Sequence, residues 1–102
     1  MIIQKNISLK PYNSFGIDVN AKYFISVSSI SELQHVLGNN KGQKKLIIGG
    51  GSNILFTQNI KNLVIHVNTK GIKLKSTGKN SVLVSVAAGE NWHNFVLWSL
   101  KN

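Results

Sequence analysis

Three successive glycines followed by two polar residues form the part of this sequence that is best suited to chemistry. Gly49, Gly50 and Gly51 come directly after a short apolar run, and Ser52 and Asn53 follow them. Glycine permits positive φ angles and close approach of a ligand to the backbone, so successive N–H groups can face an anion. Because Ser52 and Asn53 add side-chain donors on the same turn, the segment would suit a pyrophosphate.

The glycine run fits neither common nucleotide signature. The G-x-G-x-x-G pattern fails because Leu55 and its neighbours are not glycine, and no Gly-Lys-Ser/Thr sequence makes a P-loop. No helix pattern follows Asn53, so the helix dipole of a Rossmann site is not expected to contribute. From the motif alone, a phosphate site and an ordinary tight turn both stay open.

The other reactive side chains do not form a recognisable catalytic or metal site. The chain has three carboxylates and three histidines and no cysteine: Asp18, Glu32, Glu90, His35, His66 and His93. A catalytic carboxylate pair would require Asp18 and Glu90 to meet from opposite ends of the chain. No two histidines have the i, i+4 spacing of a helical ligand pair, so each is expected at the surface or half-buried. We therefore assign no catalytic residue and no metal site.

The elements that would position the glycine run follow from periodicity. A strand is predicted at 23–27, and Ser29 with Glu32 fits a capping box for the helix that follows. Gly38 and the two asparagines after it should end this helix, and a strand at 46–48 comes next. Strand, helix and strand with short connections predict a right-handed βαβ unit with parallel strands.

The second half of the chain predicts a strand, a hairpin and a helix. A strand at 63–67 is followed by a hairpin around a turn at 78–80, whose first strand should bury one face. Asn91 is a suitable N-cap for a helix with apolar residues on one side, and Trp92 is expected in the core rather than in a base-stacking site. The chain ends within this helix, as truncation of a larger domain would leave it.

Length and composition indicate one globular domain. A chain of 102 residues is one domain's worth of material, and its 15% charged residues are too few for a disordered tail. No window of 18 apolar residues and no signal peptide are found, so we expect a cytoplasmic protein without a membrane span.

The net charge of +9 raises the alternative of a small basic nucleic-acid-binding module. All twelve basic residues are lysine, and they are scattered along the chain. Lysine lacks the planar fork with which arginine recognises phosphates and guanine edges. A solvated surface is therefore the favoured interpretation, with no nucleic-acid partner.

Three segments resemble motifs of bacterial UDP-N-acetylenolpyruvoylglucosamine reductases. NSFGIDVNA at 13–21 is similar to the entry motif of the family, with Ser14 where threonine is common. IGGGSNILF at 48–56 resembles the flavin pyrophosphate loop, and VAAGENWH at 86–93 resembles a third family segment. The three occur in the family's order and span nearly the whole chain.

The resemblance implies an α+β fold of the FAD-binding type 2, vanillyl-alcohol oxidase-like kind. Residues 1–20 would be an irregular lead-in, 21–68 the first lobe with the βαβ unit, and 69–102 the truncated beginning of the second lobe. The cofactor-binding residues that it implies are Gly49, Gly50, Gly51, Ser52, Asn53, Ile54, Asn13, Ser14 and Gly16.

The function implied by the resemblance is that of a flavin-dependent oxidoreductase in peptidoglycan precursor synthesis, and hence in cell wall biogenesis, cell shape and cell division. NADPH would reduce a tightly but non-covalently bound FAD, and the flavin would reduce UDP-N-acetylglucosamine enolpyruvate to UDP-N-acetylmuramate. The family's general-acid serine, catalytic glutamate and substrate-side arginine lie beyond the segment that matches Trp92 and His93. This chain alone is therefore expected to be inactive, with the rest of the enzyme chain missing.

Overall fold

The fold, described for residues 2–51 and 54–102 of a computed structural model, is mixed α+β, as the resemblance implies. Its strands are β1 (Gln4–Ser8), β2 (Asn20–Val27), β3 (Lys45–Ile48), β4 (Ile60–Val67), β5 (Ile72–Thr77) and β6 (Val82–Val86). The helices are α1 (Ile30–Asn39) and α2 (Trp92–Lys101), with a short 3-10 helix at Lys10–Tyr12.

Four strands form one sheet in the order β1-β2-β4-β3. Strands β2 and β3 both run parallel to β4, and β1 is an antiparallel edge strand. The predicted parallel arrangement of the two strands around α1 is confirmed, but β4 lies between them. Leu63, Val64 and Ile65 of β4 are all fully buried, as a strand covered on both faces requires.

The prediction of an irregular lead-in over 1–20 is wrong for β1. This strand pairs with β2 from Gln4 opposite Phe24 to Ser8 opposite Asn20. The first three residues of β1 are exposed and polar, so its periodicity is too weak to reveal a strand. Its pairing with a neighbour in the sheet, rather than a local pattern, sets its conformation.

The start of α1 has the two hydrogen bonds of the predicted capping box, but one of them involves a different N–H group. The Ser29 hydroxyl accepts a hydrogen bond from the Glu32 N–H at 3.1 Å, and the Glu32 carboxylate accepts from the Ser28 N–H at 2.7 Å. In a standard capping box the carboxylate accepts from the N–H of the N-cap residue, which here is Ser29. The helix also continues through Gly38 and ends at Asn39, because Gly38 does not adopt the positive φ of a terminating glycine.

The sheet of four strands buries an apolar core on each face. The first core contains Leu9, Val19, Ala21, Phe24, Ile48, Phe56 and Val64. The second, which includes Val36 of α1, contains Ile25, Val27, Val36, Leu63, Ile65 and Val67. The C-terminal ends of the parallel strands are therefore fixed by packing on both sides.

Strands β5 and β6 form the predicted antiparallel hairpin, closed by a hydrogen bond of 2.6 Å from the Gly78 N–H to the Ser81 carbonyl. The expected buried face of β5 is not found, because Leu74 is 56% exposed. Asn91 caps α2 as predicted, but Trp92 is 73% exposed and does not lie in a core. Periodicity identified the apolar face of α2 but not whether another element covers it.

Candidate functional site

The ends of three parallel strands bring the candidate residues to one edge of the sheet. Strand β2 ends at Val27, β3 at Ile48 and β4 at Val67. The Asn68 N–H donates to the Val27 carbonyl at 2.8 Å, which joins the segments that leave β2 and β4. The C-terminal edge of parallel strands is where ligands bind in open α/β sheets.

The glycine loop, residues 49–51, leaves this edge and packs against the segment that follows the 3-10 helix. Gly51 is buried with a φ of +70°, and a Cβ there would lie 2.8 Å from the Asn13 Cα. The Gly51 carbonyl accepts a hydrogen bond from the Ser14 N–H at 3.2 Å. Any residue but glycine would meet both an unfavourable φ and the neighbouring backbone.

Gly49 and Gly50 differ from Gly51 in geometry. Neither has a positive φ, so the positive φ that we expected along the whole run is confined to Gly51. A Cβ on Gly50 would have no atom of residues 2–51 and 54–102 within 4 Å, and a Cβ on Gly49 would lie 3.6 Å from the Ala88 carbonyl oxygen. The backbone at Gly50 is therefore open to close approach by a ligand.

Asn13 organises the turn that supports the glycine loop. Its side chain is buried, and its amide nitrogen donates to the Leu9 carbonyl at 2.7 Å and the Ile17 carbonyl at 3.1 Å. Its amide oxygen accepts from the Ile17 N–H at 3.0 Å. Gly16 closes the same turn with a φ of +65°. Because both amide hydrogens are committed to carbonyls, Asn13 positions the loop rather than offering donors to a ligand.

A third segment, residues 87–90, is fastened to the chain that leaves β4. The Lys70 ammonium donates to the Gly89 carbonyl at 2.7 Å, and the Glu90 carboxylate accepts from the Gly71 N–H at 2.7 Å. A Cβ on Gly89 would lie 2.7 Å from the Asn68 carbonyl carbon. These contacts hold Ala88 beside Gly49.

The structure thus brings together Gly49, Gly50, Gly51, Asn13, Ser14 and Gly16. Ile54 is half-buried and packs against the first core. Ser52 and Asn53, which the sequence also assigns to the site, lie outside the residues that the structure describes. Among the residues that it does describe, Ser14 offers an exposed hydroxyl group next to the glycine loop.

His66 lies at the same edge and was not assigned to the site from the sequence. It is half-buried at the end of β4, and its Nδ1 is 2.8 Å from the Ser26 hydroxyl. Its ring lies 5.0 Å from the Tyr12 ring and 6.3 Å from the Phe24 ring. Burial, and to a smaller extent the charge of Lys70, lower the pKa of His66. Its position two residues after buried Val64, on the same face of β4, is the signal that could have revealed it.

Residues 2–51 and 54–102 contain neither a membrane-spanning helix nor a metal-ligand cluster. Neither helix in those ranges has the length and apolarity that a membrane crossing requires. No group of three histidine, aspartate or glutamate side chains in those ranges could hold a metal ion.

The sequence of this chain is similar to the sequences of known enzymes. The chain is 51% identical over 102 residues to the UDP-N-acetylenolpyruvoylglucosamine reductase of Flavobacterium johnsoniae, with all of this chain and 30% of the relative covered. It is 44% identical over 99 residues to the enzyme of the same name from Pseudomonas putida, with 95% of this chain and 29% of the relative covered. The chain belongs to the UDP-N-acetylenolpyruvoylglucosamine reductase family. It spans about 30% of the length of these curated relatives.

A solved structure supports the fold of this reductase family member. The crystal structure of UDP-N-acetylenolpyruvylglucosamine reductase from Thermus caldophilus matches with a TM-score of 0.64 and 18% identity, covering 98% of this chain and 34% of that one. No protein-family model matches the sequence. The three segments that resemble reductase motifs are far apart in the sequence, yet residues 13–14, 49–51 and 88 meet at one sheet edge.

Proposed function

We propose that this chain supplies part of the FAD site of an NADPH-dependent UDP-N-acetylenolpyruvoylglucosamine reductase. The enzyme would be a cytoplasmic oxidoreductase that forms UDP-N-acetylmuramate from the enolpyruvyl ether of UDP-N-acetylglucosamine for peptidoglycan synthesis. The observation that carries the proposal is the position of the glycine loop, between the backbone of residues 12–14 and the carbonyl of Ala88, at the C-terminal edge of the parallel strands.

The residues present fit the pyrophosphate of a tightly but non-covalently bound FAD. Gly50 has an open backbone that a phosphate oxygen can approach, and Gly49 and Gly51 hold it from either side. Asn13, Ser14 and Gly16 form the turn beneath the loop, while the assignment of Ser52, Asn53 and Ile54 rests on the family resemblance. When bound, the flavin would supply the hydride chemistry, and these residues would bind and orient it.

The carboxylates of this chain have structural partners. Asp18 accepts a hydrogen bond from the Ser8 hydroxyl at 2.6 Å, and Glu90 accepts from the Gly71 N–H. Glu32 caps α1. Because each of the three already accepts a hydrogen bond within the fold, this part of the enzyme would bind the cofactor without supplying the proton that substrate reduction needs. We therefore propose that this chain by itself has no reductase activity.

The lobes assigned from the sequence are proposed with one change. The sheet of four strands would form the first lobe, and it draws β1 from the segment 1–20 as well as strands from 21–68. The hairpin of β5 and β6 with α2, within 69–102, would begin the second lobe. The contacts of residues 87–90 with residues 68–71 support a cofactor site between the two.

Gly50 provides a direct test, because a Cβ added there would have no atom of the described residues within 4 Å. Flavin retention would be measured in the product of the complete gene for Gly50→Ala and Gly50→Asp. We expect Gly50→Ala to weaken FAD binding and Gly50→Asp to weaken it further. Like charges about 4 Å apart repel by about 4 kcal/mol at an effective dielectric constant of about 20, which corresponds to roughly a thousandfold in affinity.

Gly38→Asp is the matched control. Gly38 is also exposed and has no positive φ, and a Cβ added there would have no atom of the described part of the chain within 4 Å, but it lies in α1 rather than in the glycine loop. This variant carries the same charge change and should keep its flavin. Folded Gly50→Asp protein that holds FAD as tightly as Gly38→Asp would contradict the proposed site.

A further inference from the structure

His66 lies between the two supports of the glycine loop. One support is the 3-10 helix, where the Tyr12 ring lies 5.0 Å from the His66 ring while the backbone of the same residue lies against Gly51. The other is Lys70, four residues beyond His66, which holds the Gly89 carbonyl and through that segment places Ala88 beside Gly49.

Ser26 fixes the orientation of the imidazole. The two residues are in register on the neighbouring parallel strands β2 and β4, and Ile48, the last residue of β3, is in register with His66 from the other side. With Nδ1 bound to the Ser26 hydroxyl at 2.8 Å, the ring is held under Tyr12 and beside Phe24. The ring is therefore packed and hydrogen-bonded in one arrangement.

We propose that neutral His66 is a positioning residue for the glycine loop, and that its protonation loosens the loop and speeds loss of the bound flavin. The part that concerns flavin rests on the proposed function. The part that concerns the loop rests on the contacts of His66 alone.

Charge at His66 would act on both supports. Two titratable side chains face His66 in the described structure: Tyr12 from the 3-10 helix and Lys70 from the segment after β4. The neighbouring strands present uncharged residues, Ser26 and Phe24 from β2 and Ile48 from β3. An imidazolium would repel the Lys70 ammonium and would demand more solvent than its place under Tyr12 allows. Movement of either support would release Gly51 or Gly49.

The experiment uses the complete gene product and two readouts. The first is the protection factor of the Ser14 amide in hydrogen exchange, since this N–H donates to the Gly51 carbonyl and reports the loop without any ligand. The second is the rate of FAD loss. Both would be measured from about pH 7.5 to about pH 5.5, the range in which an imidazole takes up a proton.

Three variants separate charge from packing. His66→Asn keeps a polar atom near the Ser26 hydroxyl but cannot become charged, so the acid-induced loss of Ser14 protection and of flavin should disappear. Ser26→Ala should release flavin about fivefold faster at about pH 7.5, the equivalent of one hydrogen bond, and retain the acid dependence. The control is His35→Asn, because His35 is exposed on α1 and bonds only within that helix to Asn39 in the described structure. It should behave as the parent protein.

The outcomes distinguish this inference from the proposed function. A parent protein that binds no FAD, but whose Ser14 amide loses protection in acid unless His66 is replaced by Asn, would overturn the proposed function and leave the role of His66 in the loop supported. A parent that binds FAD, with an acid profile that His66→Asn leaves unchanged, would overturn the inference. Tighter FAD retention as His66 becomes protonated would overturn it as well.

Discussion

The backbone of Gly51 lies directly against the carbonyl group of Tyr12, although the two residues are 39 positions apart in the chain. A Cβ on Gly51 would come within 2.9 Å of the Tyr12 carbonyl carbon, and the φ of Gly51 is +70°. The glycine loop is therefore shaped by a contact with a remote segment. This relationship connects the first family-like motif with the second.

Substitution of Gly51 should destabilise the protein even without a ligand. We expect Gly51→Ala to lower the free energy of unfolding by about 2–4 kcal/mol, because a left-handed backbone costs about 1–2 kcal/mol for a residue with a Cβ and the clash with residues 12–13 adds to it. Urea denaturation would measure the change. Gly50→Ala is the matched control, and an equal loss in both variants would contradict the contact described here.

Asn13 should be as important to the fold as an apolar core residue. Asn13→Ala would remove three hydrogen bonds and leave the Ile17 carbonyl and the Ile17 N–H without the partner that they now have, whereas the Leu9 carbonyl would keep the Tyr12 N–H. Each unsatisfied buried group costs about 1–3 kcal/mol, so we expect a loss of about 2–4 kcal/mol in unfolding free energy. Asn62→Ala, at an exposed position of β4, should change it by less than about 0.5 kcal/mol. Comparable losses in the two variants would refute a structural role for the Asn13 amide.

Acid should destabilise the protein in part through His66. The pKa of this side chain is lowered in the folded state, whereas in the unfolded chain it has its ordinary value of 6.5. Below pH 6.5 the unfolded chain therefore binds more protons than the folded protein. The free energy of unfolding decreases as the pH is lowered, until the pH is below the lowered folded-state pKa. Above pH 6.5 His66 adds no pH dependence.

Unfolding free energies of the parent and of His66→Asn, measured across this range, test the effect. The parent should lose more stability than the variant between about pH 6.5 and about pH 5, above the range in which most carboxylates titrate. His35→Asn should keep the slope of the parent. A steeper acid loss in His66→Asn than in the parent would show that the sign is wrong.

Local sequence signals were sufficient where the structure depends on near neighbours. Ser29 and Asn91 cap the two helices as expected, and Gly78 closes the hairpin. Each of these features is a hydrogen bond between groups three residues apart. The chemistry of a cap or a turn is contained in such a short segment.

The remaining features depend on distant partners, and the sequence alone did not reveal them. Strand β1 is defined by pairing with β2, and β4 enters between β2 and β3 because its apolar residues need cover on both faces. Within residues 49–51, only Gly51 has a positive φ, and it is the glycine that lies against the backbone of Tyr12. The position of His66 between the two loop supports requires the strand order, which periodicity does not give.

The apolar surface of the hairpin and α2 should make the 102-residue chain associate. Leu74, Leu83 and Leu100 are each more than half exposed. A groove of about 340 Å³ between β5, β6 and α2 is lined by four apolar residues, Leu74, Val82, Val84 and Trp98, and by three polar ones, Thr77, Ser99 and Asn102. Contiguous exposed apolar surface is an association liability. We expect the average mass measured by light scattering to rise with concentration. Leu100→Ser should reduce this rise, since Leu100 is 79% exposed.

Ile2→Ser is the control for this last prediction. Ile2 is 83% exposed, as accessible as Leu100, but it precedes β1 at the other end of the chain. The same loss of apolar surface at that position should leave association unchanged if the hairpin and α2 form the contact. Monomeric parent chain at every concentration, or an equal effect of both substitutions, would show that this surface does not drive association.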